Sequence, residues 1–293
     1  MHKTSSMKFT LLMLLAMLFW AGGWTALKIL TESVNVEVLT FWRFVVMFFA
    51  FIPILIFIKK PIKLPRRGLK YILISTILNI FFMGLSYFGV KYSTAGTGGV
   101  IITVLSPIFT FILSMLILKS THSKLQYFGL FLGLIGGIIM ININNLSSIF
   151  THGEIYFVVA ALTWAFVTLL AQKSHLHINP IHYSFFISMF SMIILFIFTL
   201  PYDLSIVFQQ DTRFWIALLY LGILGQTTAT TIFFIASGKL GSAKASSFMF
   251  LVPPFALLIG YIILGEDIKL NILLGGLISI VSIYFINKVK IDK

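Results

Sequence analysis

The sequence predicts an all-α polytopic membrane protein whose ten transmembrane helices form two inverted five-helix repeats. Three observations carry this prediction. Of 293 residues, 59% are hydrophobic and only 10% charged, whereas a water-facing globular chain carries about a quarter charged residues. The apolar residues, 31 Phe among them, fall in continuous runs and not in alternation, which favours helices over barrel strands in lipid. The two halves also repeat one another at a nearly constant spacing.

A helix needs about 20 mainly apolar residues, at 1.5 Å each, to cross the hydrocarbon. Ten segments qualify: 8–30, 38–58, 69–90, 95–118, 125–143, 154–173, 181–200, 214–236, 243–264 and 270–288. The first is too long for a signal-peptide core and is followed by nine like it, so it is read as a membrane helix. The second closes at Lys59 and Lys60, the third opens behind Arg66 and Arg67, and the fourth and fifth are parted by Lys119 and Lys124. Short connections leave no room for a soluble domain. The expected halves are residues 1–145 and 146–293.

Ten spans put both ends of the chain on one side. With that side inside, the inner connections hold sixteen of the 21 Lys and Arg, while Lys28, Lys91, Arg213 and Lys269 fall outside and Arg43 within a span. Of the acids only Asp292 lies inside. Positive charge marks the cytoplasmic side, so both termini are expected in the cytoplasm. The same distribution explains the net charge of +13 without a nucleic-acid partner.

Leu105–Leu118 matches Leu251–Leu264 at an offset of 146 residues, which aligns Pro107 with Pro253 and Gly129 with Gly275. Trp20-Ala21 and Trp164-Ala165 align at 144. An odd number of spans per half inverts the second half relative to the first, a recurring transporter design.

Candidate working residues follow from what lipid tolerates. Pro107 and Pro253 stand mid-span in helices four and nine, where each removes an intrahelical hydrogen bond and marks an expected helix interruption. Asn79 and Gln226, 147 residues apart, sit near the middle of spans three and eight; Thr230 extends the polar patch around Gln226. Buried amides need partners, or a cavity. Trp20, Trp164 and Tyr87 offer flat walls with N–H or O–H donors. Arg43 lies roughly 8 Å into its span at helical rise, with no acid inside any span beyond Glu154 at the very start of the sixth; it is a candidate charge contact for an anionic group, or it snorkels outward. Gly129, Gly133 and Gly137 form a small-residue packing stripe. Asn145-Leu-Ser147 is an outward glycosylation sequon.

Several classes are excluded or left without support. Cysteine is absent, so no disulfide or thiolate site exists. His175, His177 and His182 lack the further ligands of a zinc site. No metal site, cofactor or catalytic residue is expected, and a membrane enzyme finds no clustered acids. No phosphate-binding loop is present, so this chain alone does not use ATP.

Trp20-Ala-Gly-Gly-Trp-Thr-Ala-Leu-Lys28, Arg43, Trp164-Ala165, the stretch from Pro253 to Gly265-Glu266, and Gly275 together resemble the ten-helix EamA-type branch of the drug/metabolite transporter superfamily, over nearly the full length. One departure is Ser120, where that family commonly carries Glu. The resemblance implies a secondary transporter or facilitator of small polar metabolites, amino-acid-like solutes in particular, working by alternating access and preferably in export. It also implies a location in a bacterial cytoplasmic (inner) membrane, with the lipid bilayer and a small-molecule metabolite as partners. A homodimer is left open. The runner-up is a proton-coupled multidrug exporter of cationic compounds, although the first span lacks the acid that small multidrug members use there.

Overall fold

In hydrocarbon every backbone N–H and C=O must find its partner within the chain, which leaves helices as the solution for continuous apolar runs. The structure, a computed structural model, describes residues 2–59, 61–141, 153–264 and 270–288. The expected boundary at 145/146, the Asn145 sequon and Gly265-Glu266 lie outside the described residues.

The helices are α1 (His2–Thr31), α2 (Val36–Ile58), α3 (Arg66–Tyr92), α4 (Ala95–Leu118), α5 (Lys124–Ile141), α6 (Glu154–Ser174) and α7 (Pro180–Phe198), then α8 (Thr212–Leu240), α9 (Ser242–Ile262) and α10 (Leu270–Lys288). Among the described residues nine are long and apolar enough to cross a membrane, and α5 is a shorter apolar helix. Each expected span finds its helix. Ends differ most at α1, which starts at His2, because helical hydrogen bonding continues through polar residues that hydropathy alone excludes.

Two helices depart from α geometry. In α8, residues Tyr220–Thr230 form a π-helical stretch. The hydroxyls of Thr227, Thr228 and Thr230 each donate to the carbonyl five residues back. In α9, Phe248–Leu251 tighten into a 3₁₀ turn just before Pro253. By contrast α4 continues as α-helix through Pro107, so the expected interruption there is not a break.

Helix pairing follows the inverted repeat. The repeat places α1 in correspondence with α6, α3 with α8 and α4 with α9, as a pseudo-two-fold axis would. It thereby relates the α3–α6 and α4–α6 contacts to those of α1 with α8 and α9. The self-paired contacts, α2–α7 and α5–α10, lie across the axis, and α5–α10 is the most extensive of all. Every half therefore completes the other.

Small residues make the α5–α10 approach possible, as in membrane helix pairs generally. A Cβ on Gly136 would lie 2.8 Å from the Gly275 carbonyl oxygen, and one on Gly129 2.9 Å from that of Ser282. The Ser282 hydroxyl donates to the Gly129 carbonyl at 2.6 Å. Gly137, expected on this stripe, instead faces Val104 of α4.

Candidate functional site

Glycine also sets the site's first wall. Gly22 lets the Tyr220 ring lie against α1, where a Cβ would reach 2.9 Å from its Cζ. The Tyr220 hydroxyl donates to the Phe19 carbonyl at 3.1 Å, and Trp20 Nε1 donates to the Gly225 carbonyl at 3.0 Å. These bonds stitch α1 to the π-helical part of α8 and turn Gln226 inward.

There α1, α2, α3, α4, α6, α8 and α9 enclose a chamber of about 90 Å³. Of the residues expected at the site, Trp20, Arg43, Tyr87, Trp164, Gln226 and Thr230 all line it. Arg43 is their hub. Its Nη1 donates to Tyr87 Oη at 2.9 Å and its Nη2 to Gln226 Oε1 at 2.8 Å. A hydrogen bond thus joins α2 of the first half to α8 of the second, and the arginine points inward without snorkelling away.

Asn79 is placed otherwise. It is fully buried, with no protein partner on either amide atom, one helical turn from Phe82 and Met83 of the chamber wall and outside the chamber. Nearby on α3, Ser75 shares a 2.5 Å hydrogen bond with Tyr183 of α7. Pro107 lines neither cavity, and Pro253 lines the vestibule. Their effect is displaced by one turn. A proline denies an N–H to the carbonyl four residues earlier, which is that of Thr103 or Met249, and both of these line the chamber. In α9 the Val252 N–H turns back onto the Met249 carbonyl; that bond is the 3₁₀ tightening.

The chamber adjoins a vestibule of about 1020 Å³, and Trp24 and Tyr87 line both. The vestibule lies at the face carrying the α1–α2 and α3–α4 connections, with Lys28, Glu32, Glu37 and Lys91 in its wall. Beside the chamber aromatic rings pack together. Trp164 meets Trp20 edge-on at 5.4 Å, Phe82 at 4.8 Å and Phe233 at 5.8 Å, while Phe234 bridges to Tyr183 at 5.4 Å. Sequence reasoning did not single out Phe82, Phe233 or Thr103. Thr103 was reachable by counting four residues back from Pro107, whereas nothing distinguishes these two phenylalanines among 31.

Among the described residues no three His, Cys, Asp or Glu side chains gather as a metal site would require. His177, in the α6–α7 connection, stacks on Tyr71 at 5.5 Å.

Two interlocked five-helix repeats around a shared chamber define a membrane transporter of the inverted-repeat kind. The chain belongs to the EamA-like transporter family, whose profile matches residues 7–142 and again residues 151–288. It is similar to the uncharacterized transporter YoaV of Bacillus subtilis (strain 168), 26% identical over 276 residues, with 91% of this chain and 92% of the relative covered. An uncharacterized transporter of Archaeoglobus fulgidus is 26% identical over 291 residues, covering 94% and 95%. The WAT1-related protein At3g02690, chloroplastic, of Arabidopsis thaliana is 28% identical over 218 residues, covering 70% of this chain and 51% of the relative. A solved crystal structure shares the fold at a TM-score of 0.76 and 13% identity, over 95% of this chain and 96% of that one.

Proposed function

We propose that this transporter is a secondary carrier or facilitator that exports small polar metabolites, amino-acid-like solutes among them, by alternating access around the chamber. The observation that carries the proposal is the chamber itself. It is lined by helices of both halves, it shares Trp24 and Tyr87 with the vestibule, and it has the packed rings around Trp164 beside it, an arrangement that supports access from the vestibule side. A cavity open to one side at a time is what alternating access requires, and rocking one repeat against the other would exchange the open side.

The basic connections support a cytoplasmic location for both termini. In that orientation the vestibule faces outward and the solute leaves through it, from a bacterial cytoplasmic membrane. A cation exporter coupled to protons would need an acid at the site; among the described residues the chamber lining has none and carries Arg43 instead.

The test is a radiolabelled solute screen in proteoliposomes, with and without a pH gradient. Counterflow of a small polar metabolite that is lost in Arg43→Ala is the expected result. Uptake of organic cations alone, driven by the pH gradient, would overturn it.

A further inference from the structure

Three side chains that line the chamber carry buried N–H donors that the protein itself does not satisfy. Arg43 uses Nη1 and Nη2 on Tyr87 and Gln226, but its buried Nε has no protein partner. The Gln226 carbonyl oxygen is taken by Arg43, whereas its Nε2 stands without a protein partner in a side chain only 2% exposed. Trp164 Nε1 is likewise unpartnered, in a side chain 3% exposed. A guanidinium and an indole only donate, and a glutamine whose oxygen is occupied has donors to spare. Buried donors left unpaired are costly, so three of them on side chains that line one small cavity favour an acceptor-rich occupant toward which these side chains turn.

Charge points the same way. Arginine is a permanent cation, its partners here are a phenol and an amide, and among the described residues no acid lines the chamber. The acids Glu32 and Glu37 line the vestibule instead. A charge held in a low-dielectric interior without a counter-charge is expensive, and one negative charge on the occupant would balance it.

We propose that the chamber binds its substrate by a carboxylate, received by Arg43, Gln226 and Trp164, and that the solutes are small molecules bearing one such group. The single positive charge matches a carboxylate better than a phosphate monoester, which carries about −1.5 to −2 at neutral pH. The rest of the solute then lies against Trp20, Phe82 and Met249, whose surfaces are apolar or aromatic. This inference rests on reading the chamber as the transport site, so binding and transport are measured separately.

Thermal unfolding of the purified full-length protein in detergent reads binding. The probes are acetate, propionate and isobutyrate at millimolar concentration, the amide and the ammonium ion of the same skeletons, and inorganic phosphate. The carboxylates are expected to raise Tm, while the amides, ammonium ions and phosphate do not. Arg43→Gln should weaken the response roughly ten- to a hundred-fold, as expected for one charge-assisted hydrogen-bonding group. Trp164→Phe, which keeps a ring and removes the N–H, should weaken it less. Gln226→Glu places a carboxylate beside Arg43 within the protein; it should raise Tm without ligand and abolish the response. Should Arg43→Gln fail to fold, Gln226→Glu decides alone. Equal responses to amide or ammonium, a response to phosphate only, no response to any carboxylate, or an undiminished response in Gln226→Glu would each overturn the proposal. Propionate counterflow in liposomes addresses the transport reading: binding without counterflow would sink that reading and leave the carboxylate site standing.

Discussion

Thr103 and Met249 stand 146 residues apart in the chain, each four residues ahead of a mid-span proline, and both line one chamber. The repeat therefore delivers the same device twice: a proline one turn away withholds an N–H from a chamber-wall carbonyl. The two helices answer differently. The α9 helix tightens into a 3₁₀ turn at Phe248–Leu251, whereas α4 stays α-helical through Pro107.

The prolines are expected to serve movement more than folding. Pro107→Ala and Pro253→Ala should express normally and slow transport, because a restored backbone hydrogen bond stiffens each helix. Pro253→Ala should have the larger effect, since the α9 helix is the one already off α geometry. Initial rates in proteoliposomes at matched protein content decide this; wild-type rates in both variants would reduce the prolines to packing.

The two amides should separate. Gln226→Ala removes a chamber group and an Arg43 partner, and is expected to cost about 1–3 kcal/mol of substrate affinity, or roughly five- to a hundred-fold. Asn79→Leu replaces an unpartnered buried amide with an apolar group of similar size and should raise Tm while leaving that affinity unchanged. Phe196→Ala, on the exposed side of α7, is the neutral control. Equal losses of affinity in both amide variants would mean that Asn79 reaches substrate after all.

Orientation can be read with thiol chemistry, since the chain has no cysteine of its own. A cysteine at Lys63 should resist a membrane-impermeant maleimide in intact cells, and one at Asn145 should react. The reverse pattern would turn the protein over in the membrane and make the vestibule face the cytoplasm.

Acid should weaken the fold through His122, in the α4–α5 connection. Its Nε2 shares a 2.9 Å hydrogen bond with Ser114 Oγ, and its ring packs 4.0 Å from that of Phe111. Burial, helped by the charge of Lys244, pulls its pKa below the ordinary 6.5. The folded state therefore holds fewer protons than the unfolded chain just below that value, so stability is full above 6.5 and declines as pH falls toward the lowered pKa. His122→Gln should flatten a Tm profile measured from about pH 7.5 to 5.5; an unchanged slope would assign the acid sensitivity elsewhere.

Much of this architecture was legible because lipid enforces it. Ten apolar runs and an odd count per half lead directly to α1–α10 and to their inversion, and the paired tryptophans and Gln226 lead to the chamber. What stayed hidden is asymmetry. Asn79 and Gln226 are near-equivalent in the repeat, yet α3 stays α-helical at Asn79 while α8 is π-helical at Gln226, and only Gln226 reaches the chamber. The π-helical stretch of α8 was equally silent: the Thr227, Thr228 and Thr230 hydroxyls bond five residues back within it and Trp20 Nε1 reaches the Gly225 carbonyl from α1, and hydropathy registers neither. Arg43 stood between two readings, and the neighbours that resolve its direction, Tyr87 and Gln226, come from two other helices.

The glycine contact between α5 and α10 has a consequence for how the protein is made. Ser282, which donates to the Gly129 carbonyl, follows it by 153 residues. At about 5–20 residues per second, a ribosome needs roughly 8–30 s to synthesise that interval. Throughout it, α5 sits in the bilayer with its glycine face against lipid tails or the insertion machinery. Gly137 meets Val104 of α4 within the first half and Gly133 meets Phe250 of α9, but the approaches at Gly129 and Gly136 are completed only when α10 arrives. A chain that stopped before Gly275 would lack the Gly136–Gly275 and Gly129–Ser282 approaches, so those two glycines of α5 would stay without their partner helix.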